Sequence, residues 1–521
     1  MSPLQGWAVY GNSSTYNFNE LNIETSGAKS DGIVTKNGAS KINIDKLTIK
    51  TTGSSADGLN VGKESNGTVI TVGDDAYIDA FGMGVRANSS TTGTNENLIT
   101  LGKNAVIISH EAGSNLEFLG RELGTGYAVY AGNTNSAATG DAFTQDGRIV
   151  AGAYDYYLGR GKNGNEKNWY LTSDYSPVTP DPDPEPKPEP KPEPVVRPEA
   201  GGYINNLYMA NNLFNVRLHD RLGETQYTDV LTGERKVTSL WLRNVAGHST
   251  VKSGDGQLKT GTNRYVVQLG GDIAQWSDND LNRYHIGLMA GYGRISGKTT
   301  NHVTKTRAKS DADGYSAGIY GTYYANEADK TGLYVDSWVQ YNWFKNRIDG
   351  DGLPEEKYNS DGITLSAEAG YSFLINETQG SDGSTNRWFI QPKAQVTYMG
   401  VKMDTHTERN GARVSATGEG NIQTRLGVKV YGLGQALQDK DNDRHFQPFA
   451  EINWLNNSKM TGVSMNGEHV GQSGTRNIGE IKVGVEGQLT RNADIWFNVA
   501  QQAGSDHYSD TQGMLGLKYR F

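Results

Sequence analysis

No cysteine occurs among the 521 residues, which excludes disulfides, thiolate metal sites and a cysteine nucleophile. Long apolar runs are also missing. Hydrophobic residues make up 35% of the chain and charged ones 21%, whereas a helical membrane crossing needs about 20 consecutive apolar residues. There is no excess of basic charge; the formal net charge is −9, which argues against nucleic acid as a partner. Met1 to Gly11 lack the basic stretch and apolar run of a secretory signal. Proline is scarce, at 14 residues, and most of it sits in one cluster.

Glycine (66) and tyrosine (28), by contrast, are abundant. That pairing suits strands joined by tight turns, with aromatic rings at a membrane interface. A transmembrane barrel needs only alternation, because one face of each strand meets lipid and the other a polar lumen. The fold class expected is therefore all-β: a C-terminal 12-stranded transmembrane β-barrel with a lumen α-helix, preceded by a short right-handed parallel β-helix.

The plainest boundary is the proline cluster, Pro177 to Pro198, in which Pro alternates with Asp, Glu and Lys. Such a stretch makes neither ladder nor core and reads as an extended polyproline spacer, residues 176–200. Before it, Leu21 to Ile33 (LNIETSGAKSDGI) recurs as Leu47 to Leu59 (LTIKTTGSSADGL), with a weaker copy at Tyr77 to Gly82. A period in the range of 20–50 residues indicates a solenoid. Residues 1–124 are thus read as a β-helix in which Ile23, Ile49 and Ile78 stack as an internal ladder. A β-sandwich with chance similarity is the alternative. Residues 125–175 break the repeat, carry Tyr154, Tyr156, Tyr157, Trp169 and Tyr170, and could cap the solenoid.

After the spacer, residues 201–223 read as a helix. Ile204, Leu207, Asn211, Phe214, Leu218 and Arg221 recur at 3–4 spacing, Gly223 stops it, and Arg217 and Arg221 suit its C-terminal dipole. About 20 residues give about 30 Å, near the bilayer core thickness. The segment is too polar to face lipid but could lie inside a barrel.

From residue 238 to the end, alternating segments lie near 238–245, 263–276, 283–297, 312–326, 332–348, 361–376, 386–403, 419–434, 444–457, 477–490, 493–504 and 511–521. In one, Ile481, Val483, Val485 and Leu489 alternate with Lys482, Gly484, Glu486 and Gln488. Trp241, Trp338, Trp343, Trp388, Trp454 and Trp496 fall near strand ends, as an interfacial belt requires. The gaps, roughly 17, 6, 14, 5, 12, 9, 15, 9, 19, 2 and 6 residues, alternate long and short as external loops and periplasmic turns should. An even strand number puts both barrel ends in the periplasm. A helix through the lumen then carries residues 1–200 outside.

Arg197-Pro198-Glu199-Ala200-Gly201 to Tyr203, followed by Arg217-Leu218-His219-Asp220-Arg221-Leu222-Gly223-Glu224, resembles the linker and lumen helix of monomeric (type V) autotransporters, the adhesin-type branch above all. Ser239 to Arg243, with Trp241 at its centre, resembles that family's first strand. Leu515 to Phe521, with Tyr519 next to last but one, resembles its closing strand, and Gly147 to Leu171 the junction that nucleates passenger folding. The resemblance implies an outer-membrane translocator that displays its N-terminal β-helix at the cell surface in adhesion, aggregation or biofilm. Its implied partners are outer-membrane lipid and lipopolysaccharide, the barrel-assembly machinery reading the strand that ends in Phe521, periplasmic chaperones, and a host or bacterial surface ligand. It makes Arg217, Asp220, Arg221, Trp241, Tyr519 and Phe521 structural residues. Family passengers are usually several times longer and follow a signal peptide, so a truncated passenger is expected here.

Some family members cut themselves between two asparagines of the lumen helix with acidic groups assisting. Asn205-Asn206 and Asn211-Asn212 are the candidate pairs, and Asp336, Glu368, Glu451 and Glu486 fall on polar strand faces. The surrounding sequence does not match the self-cleaving motif well, and ordinary lumen polar residues satisfying one another is the other reading. His-Glu-x-x-His and a P-loop are absent, and the nine histidines are scattered without metal-ligand spacing. No enzyme activity, cofactor or metal is expected. A truncated esterase or protease passenger is the alternative. Asp31-Gly32 and Asp57-Gly58 read as turns rather than calcium corners.

Overall fold

The computed structural model describes residues 6–62, 64–87, 97–101, 106–109, 129–131, 147–160, 169–175, 193–222, 239–279, 281–326, 331–380, 385–435, 446–490 and 493–520. It separates into two units, residues 1–195 and 196–521.

In the first unit the repeat folds as a parallel β-solenoid. Strands Thr15–Thr25, Lys41–Thr51 and Val69–Ala80 pair in parallel along one wall, and Val9–Gly11, Ile33–Thr35, Leu59–Val61 and Val85–Ala87 along another. The expected isoleucine ladder is present: Ile23 lies opposite Ile49, Ile49 opposite Ile78, and Ile78 opposite Ile107. Ile42, Ile44, Leu47, Ile49, Leu59, Ile70 and Ile78 are fully buried in one core.

The Asp-Gly corners recur because each serves the next coil. Asp31 Oδ1 accepts the Asp57 amide at 2.7 Å, and Asp57 Oδ1 accepts the Met83 amide at 2.8 Å. A Cβ on Gly32 would sit 2.7 Å from the Gly58 carbonyl, so the corner stacks only without one. Burial pushes the Asp57 carboxyl up to about 6, against the attraction of Arg86, whose Nε lies 2.8 Å away. Asp31 is raised for the same reason, burial. Antiparallel strands Ile149–Ala151, Tyr154–Arg160 and Trp169–Thr172 continue the short-strand sheet. Part of the proline-rich spacer is tied down: Glu193–Pro194 pairs with Asp174–Tyr175.

The second unit is a closed antiparallel barrel of twelve strands: β1 (Ser239–Ser253), β2 (Leu258–Trp276), β3 (Arg283–Asn301), β4 (Arg307–Tyr324), β5 (Gly332–Gly350), β6 (Glu356–Gln379), β7 (Thr385–Met399), β8 (Asn421–Gln435), β9 (Phe446–Asn457), β10 (Asn477–Thr490), β11 (Ala493–Gly504) and β12 (Ser509–Arg520). β1 closes on β12, from Ser239 opposite Arg520 to Thr250 opposite Ser509, which removes the unpaired edges an open sheet would leave. Alternation sorts the side chains as expected. Ile481, Val483, Leu515, Leu517 and Tyr519 face outward, while Lys482, Glu486 and Lys518 are buried inside. No helix among the described residues is long and apolar enough to cross a membrane.

Two expectations about the barrel need correcting. Trp343, Trp388 and Trp454 do project outward, but Trp241, Trp338 and Trp496 are buried in the lumen. Parity along the strand, not nearness to its end, decides which side a ring takes. Each of two lumen rings lies over a glycine directly opposite it: Trp241 over Gly270 and Trp496 over Gly516. The external connections after β1, β3 and β5 are short turns, residues 254–257, 302–306 and 351–355, because the strands run on well past the apolar band. There the outward positions turn polar and the hydrophobic alternation disappears from the sequence. The long external connections follow β7 and β9 and pair with each other through Arg413–Thr417 and Gly462–Met465. Phe521 lies outside the described residues.

Candidate functional site: the plugged lumen

The lumen segment also differs from the single helix read over 201–223. Helix α1 spans Pro198–Asn212 and a short α2 spans Leu218–Leu222. Pro198 opens α1 and Glu199 sits in its first turn, a placement favoured by the fixed φ of proline and the helix dipole. Its 15 residues make it about 22 Å long, so it fills part of the barrel height. Every residue from Pro198 to Ala210 is buried, so the barrel wall surrounds the helix on all sides, and polar Asn205 and Asn206 are enclosed along with Ile204 and Leu207. Gly201 permits the close approach to the wall: a Cβ there would meet Thr299 Cγ2 at 2.6 Å.

The helix ends where its asparagines cap it. Asn211 Nδ2 donates to the Leu207 carbonyl at 3.1 Å and Asn212 Nδ2 to the Tyr208 carbonyl at 2.8 Å. Each bond folds the side chain back onto a carbonyl of its own last turn, while the Asn211 carbonyl, one of those a helix end leaves free, takes Asn215 Nδ2 at 3.1 Å. The carbonyls of the following bend are satisfied by the barrel wall. Gln340 reaches the Phe214 carbonyl (3.0 Å), Arg243 the Asn215 carbonyl (3.1 Å), and Trp338 and Gln395 the Val216 carbonyl (3.0 and 3.1 Å).

Three clusters of charge hold the segment. At its N-terminal end Arg197 is ion-paired with Glu408 of the long connection after β7, and Tyr203 donates to Glu408 Oε1 at 2.9 Å. Val196 is held at the same end by Gln257 and Asn301. Near the middle Arg217 meets Asp220 (2.9 Å), Glu451 (3.1 Å) and Glu480 (2.8 Å). Lys482 pairs with Asp220, Lys393 with Glu451 (2.7 Å) and Arg425 with Glu480 (2.6 Å). In α2, Arg221 meets Asp336 (2.5 Å) and Thr322 (3.2 Å), and its guanidinium lies 3.9 Å from the Tyr320 ring centre. Trp241 donates to the Tyr320 hydroxyl (3.2 Å), which donates to Asp272 (2.7 Å).

Arg217, Asp220, Arg221 and Trp241 are therefore gathered in the lumen. Tyr519 is not; it faces outward, 47% exposed. Asn205 lies against Ser310 and Thr262, and Asn206 donates to the Asp311 carbonyl. Asn211 exchanges two 3.0 Å hydrogen bonds with the backbone of Val401. Asp336, Glu368 and Glu451 instead face residues 217–221: Glu368 accepts from Tyr334 at 2.9 Å and reaches the Leu218 amide at 3.4 Å. Glu486 is buried in the lumen wall. Sequence reading missed Glu408, Lys393 and Glu480, and it gave Arg197 and Tyr203 only as part of the linker motif, without a partner. Inward parity flagged Lys482, but nothing in an external loop such as that of Glu408 signals a partner so distant in sequence. Beside the plug a cavity of about 90 Å³ remains, bordered by Arg243, Arg264, Arg425 and Glu480, room for a few waters.

A barrel whose own upstream segment occupies its lumen, entering from the end opposite the barrel's two chain ends, defines a class: an outer-membrane translocator still holding the stem of what it exported. The model of the family described as "Autotransporter beta-domain" matches residues 240–500, and the chain belongs to the autotransporter family. It is 47% identical over 410 residues to "Uncharacterized protein YdeU" of Escherichia coli (strain K12), an alignment covering 78% of this chain and 88% of that protein. It is 37% identical over 472 residues to "Autotransporter adhesin AIDA-I" of Escherichia coli, covering 89% of this chain but only 35% of AIDA-I. The crystal structure of the AIDA-I transport unit matches with a TM-score of 0.56 and 38% identity, covering 63% of this chain and 100% of that one. The barrel thus lies in the outer membrane with the N-terminal unit at the cell surface.

Proposed function

We propose that the chain acts by display rather than catalysis: the barrel anchors the β-solenoid at the surface as an adhesin-type passenger serving adhesion, aggregation or biofilm. The observation that carries this reading is the double fastening of the lumen segment, Arg197 to Glu408 at one end and Arg221 to Asp336 at the other. A segment so held tethers what precedes it. Asn211, engaged on both sides by Val401, fits a passenger that stays attached rather than one cut free at Asn205-Asn206 or Asn211-Asn212. Residues 125–175 serve as the fold-nucleating cap and the proline-rich stretch after them as the spacer, which ends before Pro198, where α1 begins, rather than at residue 200. The C-terminal segment, β12 with Phe521 after it in sequence, is the one offered to the barrel-assembly machinery, with periplasmic chaperones holding the chain beforehand and a surface ligand meeting the solenoid afterwards. No ATP is required, since passenger folding outside supplies the drive.

The test is expression behind an appended signal peptide in a non-aggregating host. Cells should settle faster than those bearing residues 196–521 alone, and the solenoid should remain cell-bound. Equal settling, or a passenger found free in the medium, would contradict the reading.

A further inference from the structure

The outer wall of the barrel is not the same all round. On β2 to β5 the strands continue past an aromatic belt, in which Tyr315 lies 5.4 Å from Tyr292 and stacks on Trp343 at 5.9 Å. Outward positions beyond the belt include six exposed basic residues, Lys259 on β2, Arg294 and Lys298 on β3, Lys309 on β4, and Lys345 and Arg347 on β5, against the acids Asp311, Asp313 and Asp349. On β7, β8, β9, β11 and β12 the corresponding positions carry uncharged residues, Tyr398, Ile422, Trp454, Gln501 and Thr511; on β6 Lys357 is exposed but already paired with Glu355 at 2.9 Å, and Asp361 is acidic.

Cross-strand register shows where this charge is left over. Arg294 and Lys345 both stand opposite Asp313, and Arg347 stands opposite Asp311 and lies 3.5 Å from Glu355. Higher up, Lys298 stands directly opposite Lys309. Like charges directly opposite destabilise a sheet, and the only acid in register with that pair is Asp349, across from Lys309 on the far side. Lys259 is diagonal to Lys298, since Lys298 pairs with Gly261. Among the described residues no carboxylate lies within ion-pair distance of Lys259, Lys298 or Lys309.

Depth selects the ligand. Successive outward residues are about 6.6 Å apart along a strand, so with a tilt of about 40° the basic rows stand about 5, 10 and 15 Å beyond the belt. A glycerophospholipid offers one phosphate close to the acyl boundary. A glycolipid with phosphates on its first sugars and on the sugars beyond them offers anionic groups across that depth. We propose that the outer face of β2–β5, with Lys259, Lys298 and Lys309 at its top, is a binding site for one phosphorylated lipopolysaccharide of the outer leaflet. The inference rests on the barrel's placement in the outer membrane and is independent of what the passenger does.

The test uses the complete chain, folded in mild detergent with a core-phosphorylated lipopolysaccharide, with its unphosphorylated counterpart, or with phosphatidylglycerol. Bound lipid is counted by native mass spectrometry, and folding is checked by heat-modifiable gel mobility. The wild-type chain should retain one phosphorylated glycolipid. The triple variant Lys259→Gln, Lys298→Gln, Lys309→Gln should retain about tenfold less or lower, as expected for the loss of charge-assisted contacts, and the triple Lys→Arg variant should retain it. Raising the salt to about 0.5 M should release it from the wild type. Retention by the Gln variant within twofold, equal retention of phosphatidylglycerol, or salt-independent retention would each overturn the proposal. If the Gln variant fails to fold, the lipid comparison and the salt response of the wild type decide.

Discussion

Replacing Arg221 by Met should loosen the plug without unmaking the barrel. Arg221 is fully buried, and its partner Asp336 is 1% exposed. The guanidinium is the cation against which that carboxylate is buried, at 2.5 Å. Removing one partner of a buried pair costs about 3–5 kcal/mol, because the remaining charge is left uncompensated. The loss falls on the docked state alone: with α2 withdrawn, water can reach Asp336. At about 1.4 kcal/mol per factor of ten, about 4 kcal/mol raises the population of undocked segment about a thousandfold. Arg217 and Arg197 still hold their own partners, so the segment should flicker rather than leave. Single-channel recording in planar bilayers reads this directly. The wild type should stay closed almost all the time, and Arg221→Met should show frequent openings. Arg221→Met combined with Asp336→Leu should return most of the closure, since an apolar pair of similar size leaves no buried charge. A variant as silent as the wild type, or a double variant no quieter than the single one, would refute the reasoning.

Other consequences follow from the same geometry. Gly516→Leu should impair barrel assembly by about 1–3 kcal/mol, seen as loss of the compact unheated gel band, because the Trp496 ring occupies the space a side chain would need. Ile49→Ala should cost the solenoid about 2–5 kcal/mol and abolish its protease-resistant fragment while leaving the barrel band intact, since Ile49 is fully buried in the separate passenger core. Asp57, raised from 3.8 to about 6, binds its proton more readily in the folded passenger than in the unfolded one. The stability it contributes is fully present below about pH 4 and is lost as the pH rises through about 6, on the order of 2–3 kcal/mol in all. The protease resistance of the passenger should therefore increase from pH 7 to pH 4.5, and Asp57→Asn should flatten that part of the response.

How much of this was legible in the sequence depends on whether the cause was local. Period-two alternation, as in Ile481 to Val485, reports which way a strand faces, and the structure agrees at each of these residues. The isoleucine ladder was legible because each coil repeats its neighbour. Trp241 and Trp496 were misread because proximity to a strand end was weighed above parity. The upper half of β1 and the outermost few residues of β2 to β6 were taken for loops because both their faces are polar. The break between α1 and α2 was hidden because Phe214 and Leu218 keep helical spacing through it; Asn215, which takes the Asn211 carbonyl, and the wall groups that take the carbonyls of the bend make the interruption stable. Lumen pairs such as Arg197 with Glu408 join residues far apart in the chain, and only the closed barrel brings them together.

The orientation of the chain in its membrane is the claim on which the rest depends, and the absence of cysteine makes it directly measurable. Single replacements Ser54→Cys in the solenoid, Lys305→Cys in the turn after β3 and Asp278→Cys in the turn after β2 each place a thiol at an exposed position. With a signal peptide appended, a membrane-impermeant maleimide should label the first two on intact cells and the third only after the outer membrane is permeabilised. Labelling of Asp278→Cys on intact cells, with Lys305→Cys and Ser54→Cys protected, would contradict the account.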